Sequence, residues 1–503
     1  MINNVSLDLM SHYSAKHIQI RDAIFKSSAL SNITTTTKAL NIAIIGAGLS
    51  GLVAAFELEA LGYKVTIFEA NTRAGGKIYT QYFGEHLHGE LGAMRIPAHH
   101  SLVMQYVNRF GLAYRQNVST NNNAYYYLNG VCTRKHNSRI LWPETLAARV
   151  GIKNPDTIYK LIVNELLNQL TPEEFTALLT SKANSELLLQ LDQLSFLDYF
   201  AQKLEPLALN VVAATSGVEH YRRVSCLSGL VDEINWGGDQ FFELAEGMSR
   251  LVTAFIKHIK GEIHFGSQVE AISLYNNKVN ISVKANNVHQ NFDSVICCIP
   301  TYCLRKIKIT PELPLVQRQA ISQLKYSNAA KSLVVTNRLW ELNDSIFGGS
   351  SITDLSIHQC YYPSDNAILD NGRWKALSSD VSHSLGVLTA GYRWENFASQ
   401  FATLNNNAKD SSTLADINRL HQGLRKSVKD ITHQYWPDAY AFYMPGERAY
   451  FQDLLNRPFP LNSPRIFFAG EHLSISHGSL HGAVETAHHA VNLLVNTAEE
   501  RYK

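Results

Sequence analysis

At 503 residues the chain exceeds what one hydrophobic core serves, so two or three domains are expected. Its 45 Lys+Arg against 43 Asp+Glu leave a formal charge of +2, which gives no electrostatic footing for nucleic acid or an anionic membrane surface; the expected partner is a small molecule. Six cysteines, three of them (Cys297, Cys298 and Cys303) around one apolar strand, read as small reduced hydrophobes, and the histidine pairs 86/88, 99/100 and 488/489 lack the matching ligands of a metal site. Residues 1–20 hold no apolar signal core, and no uninterrupted apolar run reaches about 18 residues, so a cytoplasmic protein without a membrane span is expected.

A helical stretch over residues 15–29 and a threonine-rich connector over 34–38 open the chain as an N-terminal extension. Residues 42–51, Ile-Ala-Ile-Ile-Gly-Ala-Gly-Leu-Ser-Gly, then form a strand running into a glycine turn and a helix at 52–61. Glu69 follows a second strand, at the roughly 20-residue spacing of an acidic ribose acceptor, and completes a dinucleotide fingerprint. Gly46 permits the tight turn, Gly48 lets backbone N–H groups approach a pyrophosphate, and Gly51 lets the helix pack on the sheet. Asn129-Gly130 between aromatic-rich runs predicts a hairpin with a type I′ turn. From residue 142 to 200 the period becomes helical, with a capping box at Thr171-Pro-Glu-Glu174. Strands are expected at 262–273, 278–284, 294–299 and 333–336, and loops at 342–353 and 404–413. A buried strand at 465–470 delivers Glu471, and a helix follows at 482–495.

Two distant strand-to-glycine segments thus bracket the sequence, which fits one cofactor domain assembled from separate pieces. Asn71-Thr-Arg-Ala-Gly-Gly-Lys77 and Phe468-Ala-Gly-Glu-His472, taken with the fingerprint, resemble the flavin-dependent amine oxidase superfamily over residues 40–495. The resemblance implies FAD rather than NAD. It is expected to be non-covalent, since Ile475-Ser-His-Gly-Ser-Leu-His481 lacks the cysteine to which some members attach flavin. It further implies cofactor contacts at Gly46, Gly48, Ser50, Gly51, Glu69, Ala70, Arg73, Gly76, Lys77, Gly92, Ala93, Met94, Arg95, Val269, Gly470, Glu471, Ser479 and Leu480.

Gly89-Glu-Leu-Gly-Ala-Met-Arg-Ile-Pro97 resembles the L-amino acid oxidases and the related tryptophan and lysine monooxygenases. In that branch the motif's arginine, here Arg95, binds the substrate α-carboxylate, a role suited to a planar guanidinium fork; the alternative is pairing with Glu90 or a flavin phosphate. Residues 348–354 and 361–364 are similar to the snake-venom type of oxidase, where Tyr362 would match the tyrosine that bonds the carboxylate; the alternative is a strand tyrosine at an interface. Lys331 falls where the superfamily carries a lysine bonded through water to flavin N5, the alternative being a solvated lysine before a strand. Ser479 stands where an aromatic wall is usual, and Phe442 and Tyr443 are expected to refill the pocket from the opposite side.

The fold expected is α/β: an FAD-binding Rossmann-like (GR2-type) domain with a mixed-sheet substrate domain and a helical insertion. The expected division is 1–39 (extension), 40–77 with 240–325 and 463–503 (FAD-binding), 78–134 with 326–462 (substrate-binding) and 135–239 (helical). The resemblance implies oxidative deamination of an L-amino acid to 2-oxo acid, ammonia and hydrogen peroxide, with oxygen as second substrate. Alternatives are an amino acid 2-monooxygenase giving an amide, or an oxidase of a modified amine. No nucleic acid or membrane partner is expected. Dimers are common in the family, but nothing in this sequence demonstrates an interface.

Overall fold

The computed structural model describes residues 15–27, 40–141, 155–180, 185–238, 240–284, 288–378 and 384–502. The connector expected at 34–38 and the start of the helical region at 142–154 lie outside these residues. The framework is a five-stranded parallel sheet in the order Glu262–His264, Lys64–Phe68, Asn41–Ile45, Ser294–Cys297, Ile466–Phe468. Its central strand pairs Ile44 with Ile67 on one side and with Ile296 on the other, so a run buried on both faces reads as continuously apolar. Helix Leu49–Ala60 and the C-terminal helix Leu480–Tyr502 cover one face through Leu52, Val53, Val484 and Val491. The other face packs on a four-stranded, mainly antiparallel sheet through Ala43, Ile45, Ile272 and Ile281. The segment expected as one strand at 262–273 is therefore two, Glu262–His264 in the parallel sheet and Val269–Tyr275 in the antiparallel one.

A seven-stranded sheet carries the long strands Lys325–Asn337, Leu385–Trp394 and Asp430–Phe442 side by side, with Gln359–Tyr361, Ser350–Thr353 and the hairpin Tyr125–Leu128/Val131–Arg134 beyond them. Asn129 and Gly130 both have positive φ (52° and 78°), as a type I′ turn requires. Between residues 155 and 236 the helices share their own core, capped at Thr171 by the expected box: the Thr171 hydroxyl accepts from the Glu174 N–H and the Glu174 carboxylate from the Thr171 N–H. Two expected loops differ. Residues 404–413 begin the helix Asn406–Leu420, started by the Asn405 side chain accepting from the Ala408 N–H; its polar residues are the exposed face of a helix. Residues 342–353 include the strand Ser350–Thr353. All six cysteines are free, and Cys132 is exposed rather than buried. Among the described residues no helix is long and apolar enough to cross a membrane.

Candidate active site

A cavity of about 930 Å³ runs from the carboxyl ends of the parallel strands to the inner face of the long antiparallel strands. At the sheet end, Gly46 turns with φ 102°, and the Glu69 carboxylate accepts from the Ala47 N–H at 2.7 Å and the Asn71 N–H at 2.8 Å. Glu69, which also accepts from the Asn71 side-chain amide at 2.9 Å, thereby braces the fingerprint turn and lines the cavity. No side chain caps the helix that starts at Leu49, and a Cβ built on Gly48 would meet nothing within 4 Å. Open backbone donors at a helix N-terminus, with room for a close approach, fit the pyrophosphate of a dinucleotide. Gly51 does not face the cavity: a Cβ there would lie 1.9 Å from the Gly46 carbonyl oxygen, so its part is the approach of helix to turn.

The other expected cofactor residues line the same space, but several side chains are already engaged. Arg73 donates to the carbonyls of Ala74, Gly76 and Ile78 and stacks on Tyr79, so it fastens the loop. Lys77 pairs with Glu471 at 2.6 Å, and Glu471 also accepts from the Gly478 N–H, which joins the two distant motifs. Burial, the largest single influence, would raise the Glu471 carboxyl, but the Lys77 ammonium, His472 and the Gly478 N–H together outweigh it and hold the group below the usual range. The Ser479 hydroxyl donates to the Ser476 carbonyl and accepts from the Gly482 N–H, so it lines the cavity as a helix cap rather than a free polar group.

Arg95 enters the cavity among three rings, its guanidinium carbon 5.1 Å from Phe241, 5.6 Å from Tyr361 and 5.7 Å from Trp236. No carboxylate of the described residues pairs with it. Glu90 is occupied by the Met248 N–H and the Thr80 hydroxyl. A half-buried, unpaired guanidinium between aromatic faces is a receptor for a planar anion.

Lys331 is no surface lysine. It sits within the strand Lys325–Asn337, 2% exposed, and donates to the Gly92 carbonyl at 2.6 Å and the Glu90 carbonyl at 3.3 Å. Its ammonium lies 4.5 Å from the Tyr392 ring centre. Burial, aided by Arg95 and opposed by Glu90, lowers it to about 7, and burial raises the Glu90 carboxyl to about 7. The group can therefore exchange its proton near neutrality.

Three expected pocket residues lie elsewhere. Tyr362 is buried behind the sheet against Trp340, its hydroxyl bonded to Ser351 (2.6 Å) and to His421 (2.8 Å). Successive strand residues point to opposite faces, so Tyr361 is the one that faces Arg95. Phe442 packs into the helical core, and Tyr443 lies fully buried with its ring 5.1 Å from His477. Tyr440 lines the cavity instead, edge-on to Trp394 at 5.6 Å. Trp394 stacks on His220 at 5.2 Å and lies 4.7 Å from Tyr392. These aromatic walls were missed because strand propensity alone explains Tyr and Trp on such strands. Asp232 and Glu233 were also missed, although two acids within the apolar run Cys226–Trp236 carried a signal.

A family model described as flavin containing amine oxidoreductase matches residues 49–495. The L-amino-acid oxidase of Sistrurus catenatus edwardsii is 28% identical over 485 residues, covering 92% of this chain and 88% of that protein. The L-amino-acid oxidase of Daboia russelii is 28% identical over 484 residues, covering 92% and 90%. Among solved structures, a putrescine oxidase bound to putrescine superposes with a TM-score of 0.71 at 16% identity, covering 93% of this chain and 100% of that one. Cyclohexylamine oxidase from Brevibacterium oxydans gives 0.69 at 16% identity with the same coverage.

Proposed function

We infer function from family first: the chain belongs to the flavin-containing amine oxidoreductases, and it is an FAD-dependent oxidoreductase acting on CH–NH2 with oxygen as acceptor. We propose that its substrate is a free L-amino acid, deaminated to 2-oxo acid and ammonia with release of hydrogen peroxide. The observation that carries this is Arg95, unpaired within the cavity that also holds the glycine cradle and Lys331. A non-covalently bound FAD would supply the redox chemistry, a hydride acceptor that oxygen can reoxidise.

Gly46, Gly48 and Glu69 would hold the nucleotide end, and Lys77 and Glu471 would stand beside its middle. Arg95 takes the α-carboxylate bidentately and so fixes how Cα is presented, while Tyr361 and Trp236 restrict the guanidinium to one orientation. Tyr392, Trp394 and Tyr440 shed water from around the amine, and a low dielectric there favours its uncharged form. Lys331 presents a proton-exchanging ammonium, fixed by the Gly92 carbonyl, to the same space.

The direct test is anaerobic mixing of purified holoenzyme with each common L-amino acid and its D-enantiomer while flavin absorbance is followed. Bleaching by L-amino acids, reversed by air with 2-oxo acid and peroxide formed, is the expected result. An amide product in place of the 2-oxo acid, or no bleaching from a protein that dithionite reduces, would overturn it.

Replacing Lys331 with methionine is expected to lower oxygen-dependent turnover by about 100-fold, the usual scale for a positioned proton-transfer group. It also has a stability signature. Lys331 is depressed from 10.5 to about 7, so between those pH values the unfolded chain binds the extra proton and this group makes stability rise with pH. The slope is at most about 1.4 kcal/mol per pH unit. Denaturation of wild type and Lys331→Met at pH 7 and pH 10 should therefore differ most at the lower pH, with the variant more stable. A pH-independent difference would contradict it.

A further inference from the structure

The helix Cys226–Trp236 is mainly apolar and buries Leu227, Leu230, Val231 and Ile234 in the helical core, yet it lines the cavity with Asp232 and Glu233 beside Trp236. One Asp232 oxygen accepts from the Tyr221 hydroxyl at 3.0 Å; the other, Oδ1, is sealed from solvent and has no hydrogen-bond partner among the described residues. The residue is only 5% exposed. Leaving a buried carboxyl oxygen unsatisfied is costly, and the cost is tolerated where a ligand supplies the missing donor. Glu233 accepts from the Tyr159 hydroxyl. Burial lifts both carboxyls to about 7, so a cation arriving beside them would draw them into the ionised form.

Their position relative to Arg95 gives this pair a meaning. Trp236, which touches the Arg95 guanidinium, stands four residues after Asp232 on the same helix, one turn or about 6 Å along the axis. Tyr440 lines the same cavity, and its hydroxyl is lifted first by burial and next by the Asp232 charge. An anion receptor and a carboxyl pair about one helical turn apart along one aromatic-walled space match a molecule with a carboxylate at one end and a cation a few methylenes away.

We propose that Asp232 and Glu233 form a subsite for a cationic side-chain terminus, an ammonium or guanidinium, which makes a dibasic L-amino acid the preferred substrate. This rests on the oxidase reading above and names its substrate class. The α-amine faces the aromatic walls and is oxidised as the free base. The distal cation stays charged because it gains the Asp232 Oδ1 acceptor.

The experiment compares kcat/KM of the holoenzyme for L-lysine, L-ornithine and L-arginine with that for L-norleucine and L-glutamine, in wild type, Asp232→Asn and Glu233→Gln. Asparagine keeps an acceptor for Tyr221, and retained flavin and melting temperature verify the fold. The lysine-to-norleucine ratio should be large in wild type and fall about 100-fold in Asp232→Asn, carried mainly by KM, with a smaller fall in Glu233→Gln. A wild type that prefers L-norleucine, or a variant that leaves the ratio unchanged, overturns the subsite. If no L-amino acid is oxidised, flavin difference spectra titrated with L-lysine and L-norleucine still decide. Tighter L-lysine binding that Asp232→Asn abolishes supports the subsite without the oxidase reading, and equal binding of the two overturns it.

Discussion

Replacing Arg95 with methionine is expected to lower kcat/KM for L-amino acids by about 1000-fold, the scale of losing one partner of a buried, hydrogen-bonded charge pair. The guanidinium has no carboxylate of its own among the described residues, so its removal orphans only the substrate. Methionine keeps much of the bulk between Trp236, Phe241 and Tyr361, so retained flavin and melting temperature should change little. The decarboxylated amine of the same substrate lacks the group that Arg95 holds, and its oxidation should fall far less. The ratio of amino acid to amine activity is therefore the measurement that separates anchoring from general damage. Arg95→Lys should recover only part of the loss, because a point charge replaces a planar fork. Equal losses on acid and amine would show that Arg95 acts through the fold.

The second large effect falls on cofactor retention. In Gly51→Ala the new methyl would sit 1.9 Å from the Gly46 carbonyl oxygen, and backbone cannot swing aside as a side chain can. The helix starting at Leu49 must then withdraw from the turn, carrying its N–H donors away from the pyrophosphate position. Purified Gly51→Ala should be nearly colourless, with FAD held about 100-fold more weakly and the apoprotein itself less stable. Gly48→Ala is the informative companion. Its methyl meets nothing within 4 Å among the described residues, so the apoprotein should melt as wild type does and only FAD affinity should drop. The ratio of flavin to protein absorbance, read with apoprotein melting, distinguishes these outcomes. A yellow, fully loaded Gly51→Ala would refute the close-packing argument.

The sequence carried the nucleotide end of the cavity because its determinants are local. A strand, a turn needing positive φ at Gly46 and an acidic residue after the next strand are set by short-range geometry, and Glu69 does reach back to the Ala47 N–H. The motif around Arg95 was legible for the same reason, since its residues lie together in the chain and together in the cavity. Lys77 and Glu471, 394 residues apart, were each found within a motif, but their 2.6 Å ion pair follows from the folding of two remote segments onto one sheet.

What tertiary structure decided was phase and partnership. A strand has a side-chain period of two, so an adjacent aromatic pair such as Tyr361 and Tyr362 tells that one ring faces the cavity without telling which. Pairing of Tyr361 with Ser350 and Thr389 sets that face, and it sends Tyr362 to His421 and Ser351. Phe442 shares a strand face with Tyr440, and position along that strand decides between them: Tyr440 lines the cavity while Phe442, two residues on, lies past it in the helical core. Lys331 was placed by motif, but its burial and its proton near neutrality come from the strands on either side and the Glu90–Gly92 backbone packed over it. Asp232 shows the limit most sharply: that one of its oxygens lacks a donor is a property of every group around it, and only the assembled fold specifies those neighbours.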